Sequence, residues 1–144
     1  MRTSLEEWIS VSQHDLNEVE SKQQRGGLKL QFMVAPSDLP SAWRVIHEKS
    51  NTVEVEFKYL GGSEPKLLEH CANNITLEVG KHSKRIYKIT LNTRSVPASG
   101  ELMISRAADV VEHGPGLNKS NSEVIHRLLT SKRSKPEILE RMAP

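Results

Sequence analysis

Two alternating segments on either side of a short charged turn, between residues 73 and 92, constrain the fold more than any other stretch. Their apolar side chains fall at every second position, at Ile75, Leu77 and Val79 before the turn and at Tyr87, Ile89 and Leu91 after it. A period of two residues with one apolar face is typical of a half-buried strand. A five-residue connection that contains Gly80 fits a hairpin. This stretch therefore predicts two antiparallel strands, with Tyr87 on the core side.

Shorter alternations predict four more strands. They lie at 28–35, at 42–48, at 53–59 and around Leu102 and Ile104. The strand at 53–59 has the clearest pattern, because Val53, Val55 and Phe57 alternate with charged side chains. Residues 107–111 either extend the last strand or form a turn of helix.

Apolar residues at helical spacing predict a long N-terminal helix from Ser4 to about Gln24, in which Ser4 and Glu7 have the spacing of a capping box. Residues 64–72 are predicted to form one short helix. A C-terminal helix is expected to begin with Asn121 or Ser122 as its cap and to run to about Lys132, followed by a short turn at 137–142.

Together these elements predict an α+β protein: a curved, mainly antiparallel sheet of five or six strands, covered by the long N-terminal helix, with a C-terminal helix. A chain of 144 residues has the length of one domain with a core of its own. We expect a single domain over residues 1–144, with a mobile tail from about residue 132.

Composition bears on where such a chain works. With one cysteine, Cys71, no disulfide can form within the chain, which suits a reducing compartment. The first residues carry acidic side chains and no apolar run, and no stretch approaches the roughly 20 apolar residues that span a bilayer. A soluble, cytoplasmic protein without a membrane partner is expected.

The potential metal ligands and nucleophiles have no recognisable spacing. The six histidines form no HxH or HxxxH pair, and zinc-type cysteine spacing and HExxH are absent from the sequence. Cys71 is expected to be a small buried thiol rather than a nucleophile. The glycines belong to neither a GxGxxG nor a GxxxxGK[ST] motif. We expect no metal and no other cofactor. The lack of a catalytic motif in the sequence favours a protein that is not an enzyme.

The basic residues of the predicted hairpin suggest an alternative function. Lys81, Lys84, Arg85 and Lys88 lie close together in sequence, and a basic hairpin can bind phosphates. The stacking aromatics of single-strand binders are missing from this face, and the net charge is only +2. Nucleic-acid binding through these four residues is therefore an alternative, and a solvated face is the default.

Two carboxylates on one strand suggest a second alternative. Glu54 and Glu56 lie two residues apart, on the face opposite Val53 and Val55. Paired carboxylates can carry out acid–base chemistry when burial separates their pKa values. If the sheet curves around a pocket between helix and sheet, these two residues would line it in a small-molecule-binding protein or an enzyme. Otherwise their face is solvated.

The leading hypothesis is a non-catalytic binding or interaction module that acts as a homodimer with an unknown protein or small-molecule ligand. An antiparallel sheet has two edges with unpaired backbone groups, and the strand around Leu102 and Ile104 has little protection against pairing. The C-terminal helix adds an apolar stripe that includes Ile125, Leu128 and Leu129. The dimer is expected to form through that edge or that stripe. In the competing interpretation the stripe packs on its own sheet and the chain is a monomer.

Overall fold

A computed structural model describes residues 7–11, 38–49, 52–61, 63–72, 74–92 and 100–142. These residues form an antiparallel sheet of six strands that does not close, in the order β1-β2-β3-β6-β5-β4, and three helices. The elements are β1 (Ile9–Ser10), β2 (Ala42–Lys49), β3 (Thr52–Lys58), β4 (Lys66–Ala72), β5 (Ile75–Gly80), β6 (Ile86–Asn92), α1 (Gly100–His113), α2 (Lys119–Thr130) and α3 (Ser134–Met142). The fold is thus α+β, as the sequence predicts.

The central hairpin is confirmed as β5 and β6. Leu77 lies opposite Ile89 in their antiparallel ladder, and both side chains are buried. The expected position of Tyr87 is wrong, because the register shifts: Glu78 pairs with Lys88 but Val79 pairs with Ile86. Tyr87 is the extra residue of a bulge, which turns its side chain away from the core while Ile86 takes the core position.

The core lies between one face of the sheet and the three helices. The sheet contributes the side chains that its alternation places on this face, including Trp43, Val45 and Val55. A hydrogen bond between His47 Nε2 and the Arg141 carbonyl oxygen (2.8 Å) connects β2 to α3. The polar residues of the same strands line the opposite face, which we call the open face because none of the described helices packs on it.

The prediction of a strand around Leu102 and Ile104 is wrong, because these residues belong to helix α1. The buried side chains of α1 follow one helical stripe, at Met103, Ile104, Ala107, Ala108 and Val111. Over five residues such a stripe resembles an alternation, and only the longer window shows the period of 3.6 residues. Residues 107–111, left open by the sequence, are helical too.

The short helix predicted at 64–72 is also wrong, because this segment contains strand β4. Its backbone pairs with β5, with Leu67 opposite Val79 and Glu69 opposite Leu77. Short apolar runs fit either period, and here long-range pairing decides the outcome.

The N-terminal helix predicted for Ser4–Gln24 is not borne out. Within it, Ile9–Ser10 forms a strand whose Ile9 pairs with Trp43 of β2. The rest of that prediction, like the strand at 28–35, lies outside the described residues. The C-terminal helix is confirmed as α2, but it begins earlier than expected, because Asn118 is its N-cap and accepts a hydrogen bond from the Asn121 amide (3.1 Å).

Candidate functional site

Strand β4 ends the described sheet on one side, and its outer edge is exposed. The Lys81 amide donates a hydrogen bond to the Pro65 carbonyl oxygen (2.8 Å), so Pro65 and the residues two and four positions later direct their backbone groups towards β5. Lys66, Leu68 and His70 then direct theirs outward, where no described strand pairs with them. An edge of this kind is a template for another strand.

Two large apolar side chains lie on this edge strand. Leu67 is 44% exposed and Leu68 is 65% exposed. Leu67 lies on the side of the sheet that carries the helices, because its partner Val79 is a core residue, and Leu68 lies on the open face opposite Glu78. The edge strand therefore presents one exposed leucine on each face of the sheet.

A groove of about 510 Å³ lies between the helix side of β4 and the C-terminal end of α1. Its lining comes from β4, β5, α1 and the loop after α1: Glu69, His70, Cys71, Leu77, Asp109, Val110, His113, Gly114, Pro115 and Leu117. Its volume falls in the range of ligand sites in proteins. Among these described residues are two carboxylates, and none is a lysine or an arginine.

Cys71 lies in this groove and is exposed, which corrects the expectation of a buried thiol. The physical reason is that β4 is the terminal strand of the described sheet, where the described helices leave the Cys71 side chain exposed. Partial burial, followed by the negative charge of Glu69, raises the pKa of the thiol above its usual value. Both effects act against the thiolate form that a nucleophile needs.

A dense polar cluster around Glu64 lies just before β4. One carboxylate oxygen of Glu64 accepts hydrogen bonds from the backbone amides of His82 (2.8 Å) and Ser83 (2.9 Å). The other oxygen accepts from the Ser83 hydroxyl, the Tyr87 hydroxyl (2.8 Å) and the Arg85 guanidinium (3.3 Å). Burial opposes ionisation, but the hydrogen bonds from Ser83, Tyr87 and His82 outweigh it and hold the pKa of Glu64 well below its usual range.

The Glu64 cluster continues into the core through Arg85. Its guanidinium lies over the Tyr59 ring at 4.7 Å from the ring centre and donates to the Tyr87 hydroxyl (2.8 Å). The Tyr59 hydroxyl donates to the Ile86 carbonyl oxygen (2.6 Å) and accepts from Asn121 of α2 (2.7 Å). Burial raises the pKa of Tyr59, so its hydroxyl stays protonated. Because these groups bind one another, the cluster is a structural connection between turn, sheet and helix.

The four basic residues of the hairpin do not form one open patch. Lys81 and Lys84 are exposed, but Arg85 is buried against Glu64. The ammonium of Lys88 lies on the open face, 3.5 Å from a carboxylate oxygen of Glu54. Two of the four charges are therefore already compensated by carboxylates of the chain.

Glu54 and Glu56 lie on the open face, so they do not face the helices. Besides the contact of Glu54 with Lys88, a carboxylate oxygen of Glu56 accepts a hydrogen bond from Arg44 Nε (2.7 Å). Glu56 borders a hollow of about 260 Å³ on this face, together with Trp8 and other residues. The structure does not bring the two carboxylates into a pocket between helix and sheet.

Ile125, Leu128 and Leu129 lie in the core of the chain, where α2 packs against α1 and the sheet. Their stripe is thus used within the chain, and a charge at Leu128 would disrupt the core. The homodimer itself stays a prediction, because a single chain does not test it.

The described residues contain no group of three or more histidine, cysteine, aspartate or glutamate side chains that could hold a metal ion. Among the helices of that part of the chain, none has the length and apolarity to cross a bilayer. No protein-family model matches the chain, and comparison with curated proteins and with solved structures finds no match either.

Proposed function

We propose that this protein is a non-catalytic interaction module that forms a homodimer by pairing the β4 edges of two copies. The observation that supports the proposal is the exposed edge of β4, with apolar side chains on both of its faces. Edge strands that are left open in this way pair readily with another strand, and a closed two-fold uses the same patch on both copies.

The geometry of β4 restricts how two copies can pair. When two identical strands pair antiparallel about a two-fold axis normal to the sheet, the residue at the axis lies opposite the same residue of the second copy. Leu68 is the best candidate for that position, because its backbone groups point outward and its side chain would pack against the same leucine. Lys66 would then lie opposite His70 of the second copy, and about six backbone hydrogen bonds would form.

The other positions on β4 are less suitable. An axis at Lys66 or at Glu69 would place like charges opposite each other, which is destabilising. An axis at His70 would bring into the interface the register irregularity between His70 and Ala72. An axis at Leu67 would leave a shorter ladder. Leu68 alone combines an apolar pair with five regular residues on each strand.

The mass in solution tests the proposal. Light scattering at micromolar concentration should give twice the 16.2 kDa mass of the chain. Leu68→Lys should give the mass of one chain with an unchanged circular dichroism spectrum, because it places two charges next to each other on the axis. The matched control is Leu60→Lys, which alters another exposed leucine (74% exposed) outside β4 and should remain dimeric. A single-chain mass for the unaltered protein, or a dimer that survives Leu68→Lys, would overturn the proposal.

A cross-link tests the register. Directly opposite residues of a hydrogen-bonded antiparallel pair have Cα atoms about 5.5 Å apart, within the range of disulfides. In a Cys71→Ser background, Leu68→Cys should therefore form an intermolecular disulfide under mild oxidation. Lys66→Cys should not form this disulfide, because each introduced cysteine would lie opposite His70 of the second copy and far from the other introduced cysteine. Equal cross-linking of both variants would contradict an axis at Leu68.

A further inference from the structure

We infer that the groove between β4 and α1 binds a small organic cation, an amine with an apolar body. This inference goes beyond the proposed dimer and does not depend on it, because all the described residues that line the groove belong to one chain. Three features of the lining lead to this ligand class: its carboxylates, the end of a helix and its apolar floor.

The lining carries two carboxylates among its described residues. Glu69 comes from β4 and Asp109 from α1, and both are exposed, so they can approach a ligand without losing a partner in the core. Since none of the described lining residues is a lysine or an arginine, an anionic ligand would meet two carboxylates there and no permanently positive side chain among them.

The C-terminal end of α1 adds to this negative potential. The last carbonyl groups of a helix lack partners within the helix and carry the negative end of its dipole, which favours cations. Asp109 and His113 belong to the last two turns of α1, and Gly114 follows directly. His113 Nδ1 interacts with the Asp109 carbonyl oxygen (3.1 Å), which places the His113 ring against the last turn of the helix, beside the groove.

The floor of the groove is apolar. Leu77 is fully buried beneath it, and Val110 and Leu117 are half-buried in its walls. A hydrated inorganic cation would gain nothing from these side chains, whereas a hydrocarbon chain on an ammonium group would be removed from water against them. A volume of about 510 Å³ leaves room for such a body.

Three probes with the same hydrocarbon chain separate charge from apolarity: n-hexylammonium, n-hexanol and n-hexanoate. The expected result is binding in the order ammonium, alcohol, carboxylate, with a dissociation constant of about millimolar for the ammonium, as suits so few atoms. NMR titration of the isotope-labelled protein measures each dissociation constant. The chemical-shift changes should concentrate at the amides of residues 69–71 and 109–117. Equal binding of the ammonium and the alcohol, or shifts elsewhere, would overturn the inference.

Neutralised variants test which charges matter. Glu69→Gln and Asp109→Asn should each weaken hexylammonium binding roughly two- to fivefold, because a partly exposed ion pair contributes about that much. Neither substitution should weaken the binding of hexanol. Glu123→Gln, which removes an exposed carboxylate from α2 outside the lining, is the matched control and should leave binding unchanged. Arg106 lies one helical turn before Val110, so Arg106→Gln should strengthen binding slightly. Unchanged affinity in both Glu69→Gln and Asp109→Asn would contradict a cation site.

Discussion

The Glu64 cluster and the edge of β4 are adjacent in sequence and opposite in character. Around Glu64, the two carboxylate oxygens together accept hydrogen bonds from four residues of the hairpin turn and its neighbours: His82, Ser83, Arg85 and Tyr87. On β4, which begins two residues later, both leucines are exposed and the outer backbone groups face away from the described sheet. The difference shows that the exposed edge begins at a firmly fixed point, so it can present a defined register to another strand.

The largest effect is expected from Glu64→Gln. The amide would keep the shape of the side chain but would lose the ion pair with Arg85 and place an NH₂ group against donors. We expect the free energy of unfolding to fall by about 2–3 kcal/mol. Urea denaturation followed by circular dichroism measures it, and a loss below about 0.5 kcal/mol would show that the cluster does not hold the turn.

The stabilisation by Glu64 should depend on pH in a known direction. The pKa of Glu64 is lowered in the folded chain and is about 4.3 in the unfolded chain, so its contribution is complete above about pH 5 and is lost as the pH falls below about 4. The stability difference between the unaltered protein and Glu64→Gln should therefore be constant from pH 7 to pH 5. It should shrink by up to about 1.4 kcal/mol for each pH unit below 4. A difference that shrinks already at pH 6 would contradict the assignment.

The smallest effect is expected when the same substitution is made on the edge. Glu69→Gln changes an exposed carboxylate of β4, and surface changes of this kind alter stability by less than about 0.5 kcal/mol. Parallel urea titrations of Glu64→Gln and Glu69→Gln compare the two regions directly. Similar losses in both variants would mean that the edge is more firmly integrated into the fold than its exposure indicates.

The sequence predicts correctly the strands that have one face buried in the core and one polar face. Val53, Val55 and Phe57 alternate strictly because β3 has helices on one face and polar side chains on the other, and this pattern is local. The sequence does not predict helix α1, because over five residues its buried stripe resembles the alternation of a strand. Strand β4 was missed because most of its side chains are exposed, so burial imposes no alternation on it.

The candidate sites depend on contacts that local patterns do not encode. Glu64 meets partners in the next hairpin, beyond the whole of β4 and β5, and its role requires the bulge at Tyr87. The groove combines β4 with the end of α1, two elements that are distant in the chain. Pro65 is a signal that could have indicated the start of an edge strand, because proline is tolerated there.

The order of the strands also has a consequence for how the chain folds. Strands β2 and β3 pair as neighbours in sequence, and so do β4, β5 and β6, so each group can form from nearby residues. The two groups are joined by the β3–β6 ladder, where Val55 meets Ile89 across the intervening β4–β5 hairpin. Pairing across a long stretch of chain is required at this ladder and again where β1 pairs with β2, so we expect these two ladders to form after the local groups.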